Sequence, residues 1–182
     1  HMGYGSMSFS PYTLTGHEFF GGGVELKPEN GFRFAAMHGR LRKAVPRDSL
    51  AIEPMYRRRG TGVLAGYEGS NVDVILSVFK AKDDVNSMLQ GEPDEGELVK
   101  PGDNLAGSMR VNIRMANGFS WMGEYGASAM NHDISRPEVA ESGNSFFNSH
   151  GDVTVHHAFK TSVAQSTSLG RVGASYERVQ PN

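Results

Sequence analysis

Leu105-Ala-Gly-Ser-Met-Arg-Val-Asn-Ile-Arg-Met-Ala-Asn-Gly-Phe-Ser-Trp-Met-Gly-Glu-Tyr-Gly-Ala-Ser-Ala129 reads as two strands joined at Ala116-Asn117. From Leu105, alternate positions are Leu105, Gly107, Met109, Val111, Ile113 and Met115. Their neighbours are Ala106, Ser108, Arg110, Asn112 and Arg114. Beyond the turn, Phe119, Trp121, Gly123, Tyr125, Ala127 and Ala129 share one side, opposite Ser120, Met122, Glu124, Gly126 and Ser128. A strand sends residues i and i+2 to the same side, so the pattern predicts a hairpin with one apolar face backed by a polar one. Trp121 and Phe119 fall near the turn, where an aromatic girdle would sit at a bilayer interface.

Three more segments repeat the pattern about the short polar turns Pro28-Glu29-Asn30, Glu68-Gly69-Ser70 and Gln165-Ser166. Val72, Val74, Leu76 and Val78 alternate with Asn71, Asp73, Ile75 and Ser77. Val153, Val155, His157, Phe159 and Val163 alternate with Asp152, Thr154, His156, Lys160 and Ser162. The first hairpin separates its faces less well, with Phe32, Phe34 and Ala36 against Arg33, Ala35 and Met37. The strands from Gly16 and from Gly60 are glycine-rich and ambiguous.

Connections between hairpins are long: Val45 to Pro54, Asp83 to Asp103 and His132 to Gly151. Short turns at one end and long loops at the other characterise a membrane-spanning β-barrel. Strands of roughly 10 to 14 residues exceed the about 9 to 11 that cross a bilayer. The reading is therefore an all-β, up-and-down antiparallel meander of about eight strands, forming a transmembrane-type barrel or a segment of a larger one. A soluble antiparallel sheet with one wet face produces the same alternation, and it stands as the alternative.

Composition fits a barrel. The chain has 182 residues, 38 % of them hydrophobic, and a net charge of −2 that points to no nucleic-acid partner. No run approaches the about 20 apolar residues of a spanning helix. The absence of cysteine excludes a disulfide framework and thiolate chemistry. His1-Met2-Gly3 reads as a tag remnant, and residues 1–10 are expected to be poorly ordered, leaving 11–182 as one barrel domain or barrel segment. With eight strands, both termini fall on the long-loop side, which favours a segment cut from a larger barrel.

A resemblance extends this reading. Tyr12-Thr-Leu-Thr-Gly-His-Glu-Phe-Phe-Gly-Gly-Gly-Val-Glu-Leu26 and Gly31-Phe-Arg-Phe-Ala-Ala-Met-His-Gly-Arg-Leu-Arg-Lys-Ala44 resemble large outer-membrane or cell-surface proteins of the Bacteroidetes. The pattern continues at Tyr56-Arg-Arg-Arg-Gly60, Phe79-Lys-Ala-Lys-Asp-Asp-Val-Asn-Ser87, Glu124-Tyr-Gly-Ala-Ser-Ala129 and Tyr176-Glu-Arg-Val179, so it spans about residues 11 to 181. It implies a bacterial outer-membrane address and a longer whole, and it brings no catalytic residues.

Candidate chemistry is sparse. Asp83, Asp84 and Asn86 offer close oxygen ligands for a hard cation such as Ca²⁺, without the spacing or glycine of an EF-hand loop. Turn-forming Asp and Asn give the same cluster for ordinary reasons. His150, Asp152, His156 and His157 crowd one strand start, but adjacent His156 and His157 point to opposite faces and cannot share a metal. His132-Asp133 and Ser149-His150 sit in no nucleophile elbow, so no enzyme is expected. Gly21-Gly22-Gly23 lacks the Lys-Ser and helix of a phosphate loop and marks close packing or a bend instead. Arg40, Arg42, Lys43, Arg47 and Arg57-Arg58-Arg59 bracket the first long loop and face an acidic second loop, Glu92, Asp94, Glu95 and Glu97. At a barrel rim they would pair with lipid phosphates, and on a soluble protein they would be a solvated rim.

The expectation is thus an outer-membrane anchor, pore wall or part of a surface transport or assembly system, with no cofactor. Its partners would be the lipid bilayer and other chains or segments completing the barrel. Val72, Val74, Leu76, Leu105, Met109, Val111, Ile113 and Trp121 would face lipid, and Arg110, Arg114, Glu124 and Lys160 the lumen. The competing function is a soluble barrel that turns the apolar face inward around a small apolar ligand.

Overall fold

The computed structural model describes residues 2–45, 54–87, 99–135 and 153–180. Nine strands follow one another as an antiparallel meander: β1 (Met2–Met7), β2 (His17–Leu26), β3 (Phe32–Arg42), β4 (Arg57–Glu68) and β5 (Val72–Asp84). The sheet continues with β6 (Asp103–Arg114), β7 (Phe119–Asn131), β8 (Val153–Thr167) and β9 (Gly170–Val179). Each pairs with the next, and β1 and β9 do not pair with each other, so the sheet is open.

The all-β meander and its alternating faces are as the sequence predicts. The strand count is corrected from eight to nine, because residues 2–7 are not a loose lead-in: they pair with β2 from Met2↔Gly22 to Met7↔His17. Backbone pairing supplies the order that the small side chains of this stretch do not. With β1 in place the sheet's first and last strands point the same way, which also corrects the expectation of both ends on the long-loop side.

Three of the four turns fall where expected. The fourth moves by three residues, from Gln165-Ser166 to Ser168-Leu169, since β8 runs on to Thr167. Gly170, at φ +147°, takes a conformation side-chain-bearing residues avoid, and Thr167 Oγ1 bonds both Gly170 O and the Leu169 N–H at 3.0 and 3.3 Å.

The sheet is strongly curved around the segment joining β1 to β2. Phe9 N–H donates to Leu14 O (2.8 Å) and Thr13 N–H to Ser10 O (3.1 Å), folding residues 8–16 into a compact turn. Phe9 packs over Gly62 of β4, while Tyr12 lies on Gly126 of β7, where a Cβ would come within 2.5 Å of the tyrosine. Tyr12 also reaches Glu177 of β9. One short segment touches β4, β7 and β9 only if the sheet curls about it. Glycines on the concave side make the room, which is why β2 and β4 are glycine-rich.

Beneath the segment, Phe9, Leu14, Phe19, Ala35, Met37, Leu64, Ile75, Phe79 and Ala81 form the buried apolar cluster of β2–β5. The concave side of β6–β9 is polar. The concave side is therefore polar in the second half of the sheet and apolar in the first, where Phe9 and Leu14 of the inserted segment supply partners for Leu64, Ile75 and Phe79.

Candidate functional site in the concave face

Register places four charges of alternating sign in one row across the concave face: Arg110 (β6), Glu124 (β7), Lys160 (β8) and Glu177 (β9). Opposite charges in adjacent strands are the favourable cross-strand arrangement. Lys160 Nζ lies 3.0 Å from Glu177 Oε2. Glu124 is 3 % exposed and accepts the Ser10 hydroxyl, and Tyr12 donates its hydroxyl to Glu177 at 2.8 Å. The inserted segment thus caps two of the row's carboxylates. Thr13, Ser77 and Ser108 continue the polar contact as a chain of hydroxyls 3.0 and 2.8 Å apart.

Two further clusters pin the ends of the sheet. At the short-turn end Arg114 forms a fork on Asp73 (both bonds 2.7 Å) and donates to Gly69 O (2.6 Å) and Ser70 O (3.1 Å), tying β6 to the β4–β5 turn. At the long-loop end Asp83, 3 % exposed, receives a fork from Arg58 (2.8 and 2.7 Å), a second cation from Arg42 (3.5 Å) and the Gly102 N–H (3.0 Å). A polar recess of about 490 Å³ opens at the short-turn end, bordered by Asn112, Arg114, Ser120, Ser162, Arg171 and Ser175.

The four residues expected toward the interior, Arg110, Arg114, Glu124 and Lys160, all lie on the concave side. The eight expected on the other face also share one side: Val72, Val74, Leu76, Leu105, Met109, Val111, Ile113 and Trp121 are linked through β5, β6 and β7 by register. That side is convex. Its exposed apolar surface continues over the rest of the sheet through Val24, Phe34, Val63, Tyr125 and Phe159.

The calcium reading is corrected. Asp83 and Asp84 are strand neighbours and point to opposite faces, so they do not converge. Asp83 is saturated by Arg58, Arg42 and Gly102, Asp84 is paired with Arg57, and Asn86 offers Asp84 its backbone N–H. No cluster of three metal-ligating side chains occurs among the described residues. His156 and His157 do diverge: His157 Nδ1 meets Tyr125 Oη at 2.6 Å on the convex side. His132 bonds Thr154. Arg47, Glu92, Asp94, Glu95, Glu97, Ser149, His150 and Asp152 lie outside the described residues.

Sequence reasoning missed Phe9, Ser10 and Tyr12. Nothing in a nine-residue connection announces that it folds inward; the only signal is the set of glycines spaced by two on β2 and β4. Tyr12 carries a testable consequence. Burial, with the hydrogen bond to Glu177 and the charges of Glu177 and Glu124 added, pushes its phenol well above the ordinary range. A phenol raised in the folded state stabilises the fold below its unfolded value near 10, and that contribution is lost as pH rises toward the folded value. The denaturation midpoint of the wild type should therefore fall more steeply above about pH 10 than that of Tyr12→Phe. Parallel curves would remove Tyr12 from the account.

No family model matches the chain, and comparison with curated proteins and with solved structures finds no match.

Proposed function

We propose that this chain forms the wall of a bacterial outer-membrane β-barrel, serving as an anchor or lined pore wall for a surface transport or assembly system. One observation carries the reading: a broad apolar face turns outward on the convex side, while the concave side is polar in β6–β9 and buries an apolar cluster only in β2–β5. Leu76, Val78 and Val63 are 50, 52 and 53 % exposed on the convex face, whereas Asp83 and Glu124 are 3 % exposed on the concave one. Soluble monomers seldom expose a contiguous apolar face of this extent, while a barrel in lipid requires one. On β6 the apolar run from Leu105 to Ile113 covers about 26 Å along the strand. Tilted by about 40°, it spans about 20 Å of the about 25 Å band typical of outer-membrane barrels.

Aromatic residues flank the belt. Phe32 packs on Phe34 and Tyr67 near the short turns, and Phe20 packs on Tyr4 nearer the long loops. The resemblance to Bacteroidetes surface proteins points to the same address. Segment 8–16 fills part of the interior, which favours an anchor or plugged wall over a wide channel.

The edges of β1 and β9 offer unpaired backbone groups, and hydrocarbon does not tolerate them. In the membrane they are paired by further strands, from other segments or other chains. The alternative of a soluble barrel around an apolar ligand needs the apolar face inside, and the convex position of Leu76, Met109 and Tyr125 weighs against it.

Circular dichroism and size exclusion with and without detergent test the proposal. β-rich spectra and a monodisperse peak should appear only with micelles. A compact monomer in plain buffer would overturn it.

A further inference from the structure

The basic residues around the first long connection divide by face. Arg42 and Arg58 turn to the concave side and both engage Asp83. Arg40, Arg59 and Lys82 are register partners in a single row across β3, β4 and β5 on the convex side. A register shift between Arg40 and Arg42 separates the two sets.

Adjacent strands lie about 4.8 Å apart. The convex row therefore sets three cations side by side, and like charges directly opposite one another repel. Arg40 rests 5.1 Å from the Phe20 ring centroid. Asp103, the register partner of Lys82, stands at the end of the row but is held by Lys80, and Asp84 is held by Arg57, so among the described residues no ion pair reaches Arg40, Arg59 or Lys82. Among the described residues, then, the row is left with positive charge that a further anion could answer.

What lies below the row indicates where that anion comes from. Along the same face, toward the short turns, a polar row of His38, Thr61 and Lys80 comes first, and β3, β4 and β5 then continue as Ala36, Val63 and Val78 and as Phe34, Ala65 and Leu76. Beside Val78 a shallow apolar groove of about 440 Å³ is floored by Gly107 and Ala127 and walled by Leu105, Met109 and Tyr125. Cations above a greasy groove on one surface match an amphiphile with a negative head.

We propose that Arg40, Arg59 and Lys82 hold the phosphate of an anionic lipid in the leaflet at the long-loop end, with an acyl chain seated in the groove beside Val78. Guanidinium groups suit phosphate because they bind its oxygens in pairs. A free phosphate would meet only exposed, salt-screened side chains with no enclosing walls. A lipid adds burial of its chain to the same contacts. The proposal rests on the membrane reading above.

The test uses the whole chain folded in detergent and in phosphatidylcholine vesicles, with phosphatidic acid and inorganic phosphate as probes. Native mass spectrometry should show phosphatidic acid retained by the wild type. The double variant R59Q/K82Q should bind it about 10-fold or more weakly, since each cation near an anionic surface contributes severalfold. K27Q/R171Q, which removes two charges at the short-turn end, should bind it as the wild type does. Equal retention by R59Q/K82Q, or inorganic phosphate competing as strongly as the lipid, overturns the site. Folding of the double variant is checked by its insertion into phosphatidylcholine vesicles. Insertion without a phosphatidic acid preference sinks the lipid site alone, whereas a wild type that never inserts sinks the membrane reading and the site together.

Discussion

Leu76→Arg should destabilise the lipid-inserted protein by about 2–4 kcal/mol, the range for a cation placed mid-bilayer on a barrel wall. Leu76 is the third of four alternating apolar residues on the convex side of β5, with Ala65 and Met109 as its register neighbours. Its side chain is half-exposed among apolar neighbours, so in lipid an arginine there would have to stretch its stem past further apolar rows to reach water. In a soluble fold the same change at an exposed position stays within about 0.5 kcal/mol. The two environments thus predict effects several-fold apart for one substitution. Urea titration of the vesicle-folded protein measures the difference. A shift as small as the soluble case would remove Leu76 from lipid and undercut the convex belt.

Asp83→Asn should also destabilise, by about 1–3 kcal/mol, for the opposite reason. The carboxylate is nearly inaccessible and neutralises the Arg58 fork and Arg42 together, while accepting the Gly102 N–H. An amide keeps the shape and removes the charge, so the two partly exposed guanidinium groups lose the buried carboxylate that gathers them, and the Gly102 N–H loses its charged acceptor. Asp84→Asn, one residue away on the opposite face, should shift the midpoint far less, because its pair with Arg57 is reached by solvent. Chemical denaturation of both variants in one detergent measures this contrast. Equal, small shifts would mean the Asp83 cluster holds nothing together. Added Ca²⁺ or chelator should leave the wild-type midpoint where it is, since arginines occupy the oxygens that a cation would need.

These two residues illustrate what a strand pattern can carry. Leu76 and Asp83 lie seven positions apart on one strand, an odd separation, so the period of two assigns them to opposite faces without any tertiary information. The same rule separated Arg110 from Val111 and His156 from His157. It also undid the metal cluster, because Asp83 and Asp84 are consecutive. Register followed from short turns, and it slipped only at Gln165-Ser166, where Gly170 and Thr167 close the hairpin three residues later.

Partnerships across the sheet were not legible in this way. Ser10 meets Glu124 and Tyr12 meets Glu177, across 114 and 165 positions of chain. Their own neighbourhood, Ser8 to Gly16, shows neither strand nor helix periodicity. Glycines at 62 and 126 hinted at close approach, but not by what. Arg58 and Arg59 part by simple alternation, but Arg42 turns inward and Arg40 outward only because the register shifts between them. A basic run alone contains no trace of such a bulge.

The sequence by itself determined the strands from β2 to β9, nearly all of their pairing, and which residues share a face, but not β1, because hydrophobic alternation and turn chemistry act over a few residues. Only the tertiary structure decided which face is convex, what fills the hollow, and which cations stand side by side on the convex face. Those depend on the direction in which the sheet curls, and curvature comes from packing between segments far apart in the chain: Phe9 over Gly62, Tyr12 over Gly126, and a row of charges closed by a loop that no local rule would have sent inward.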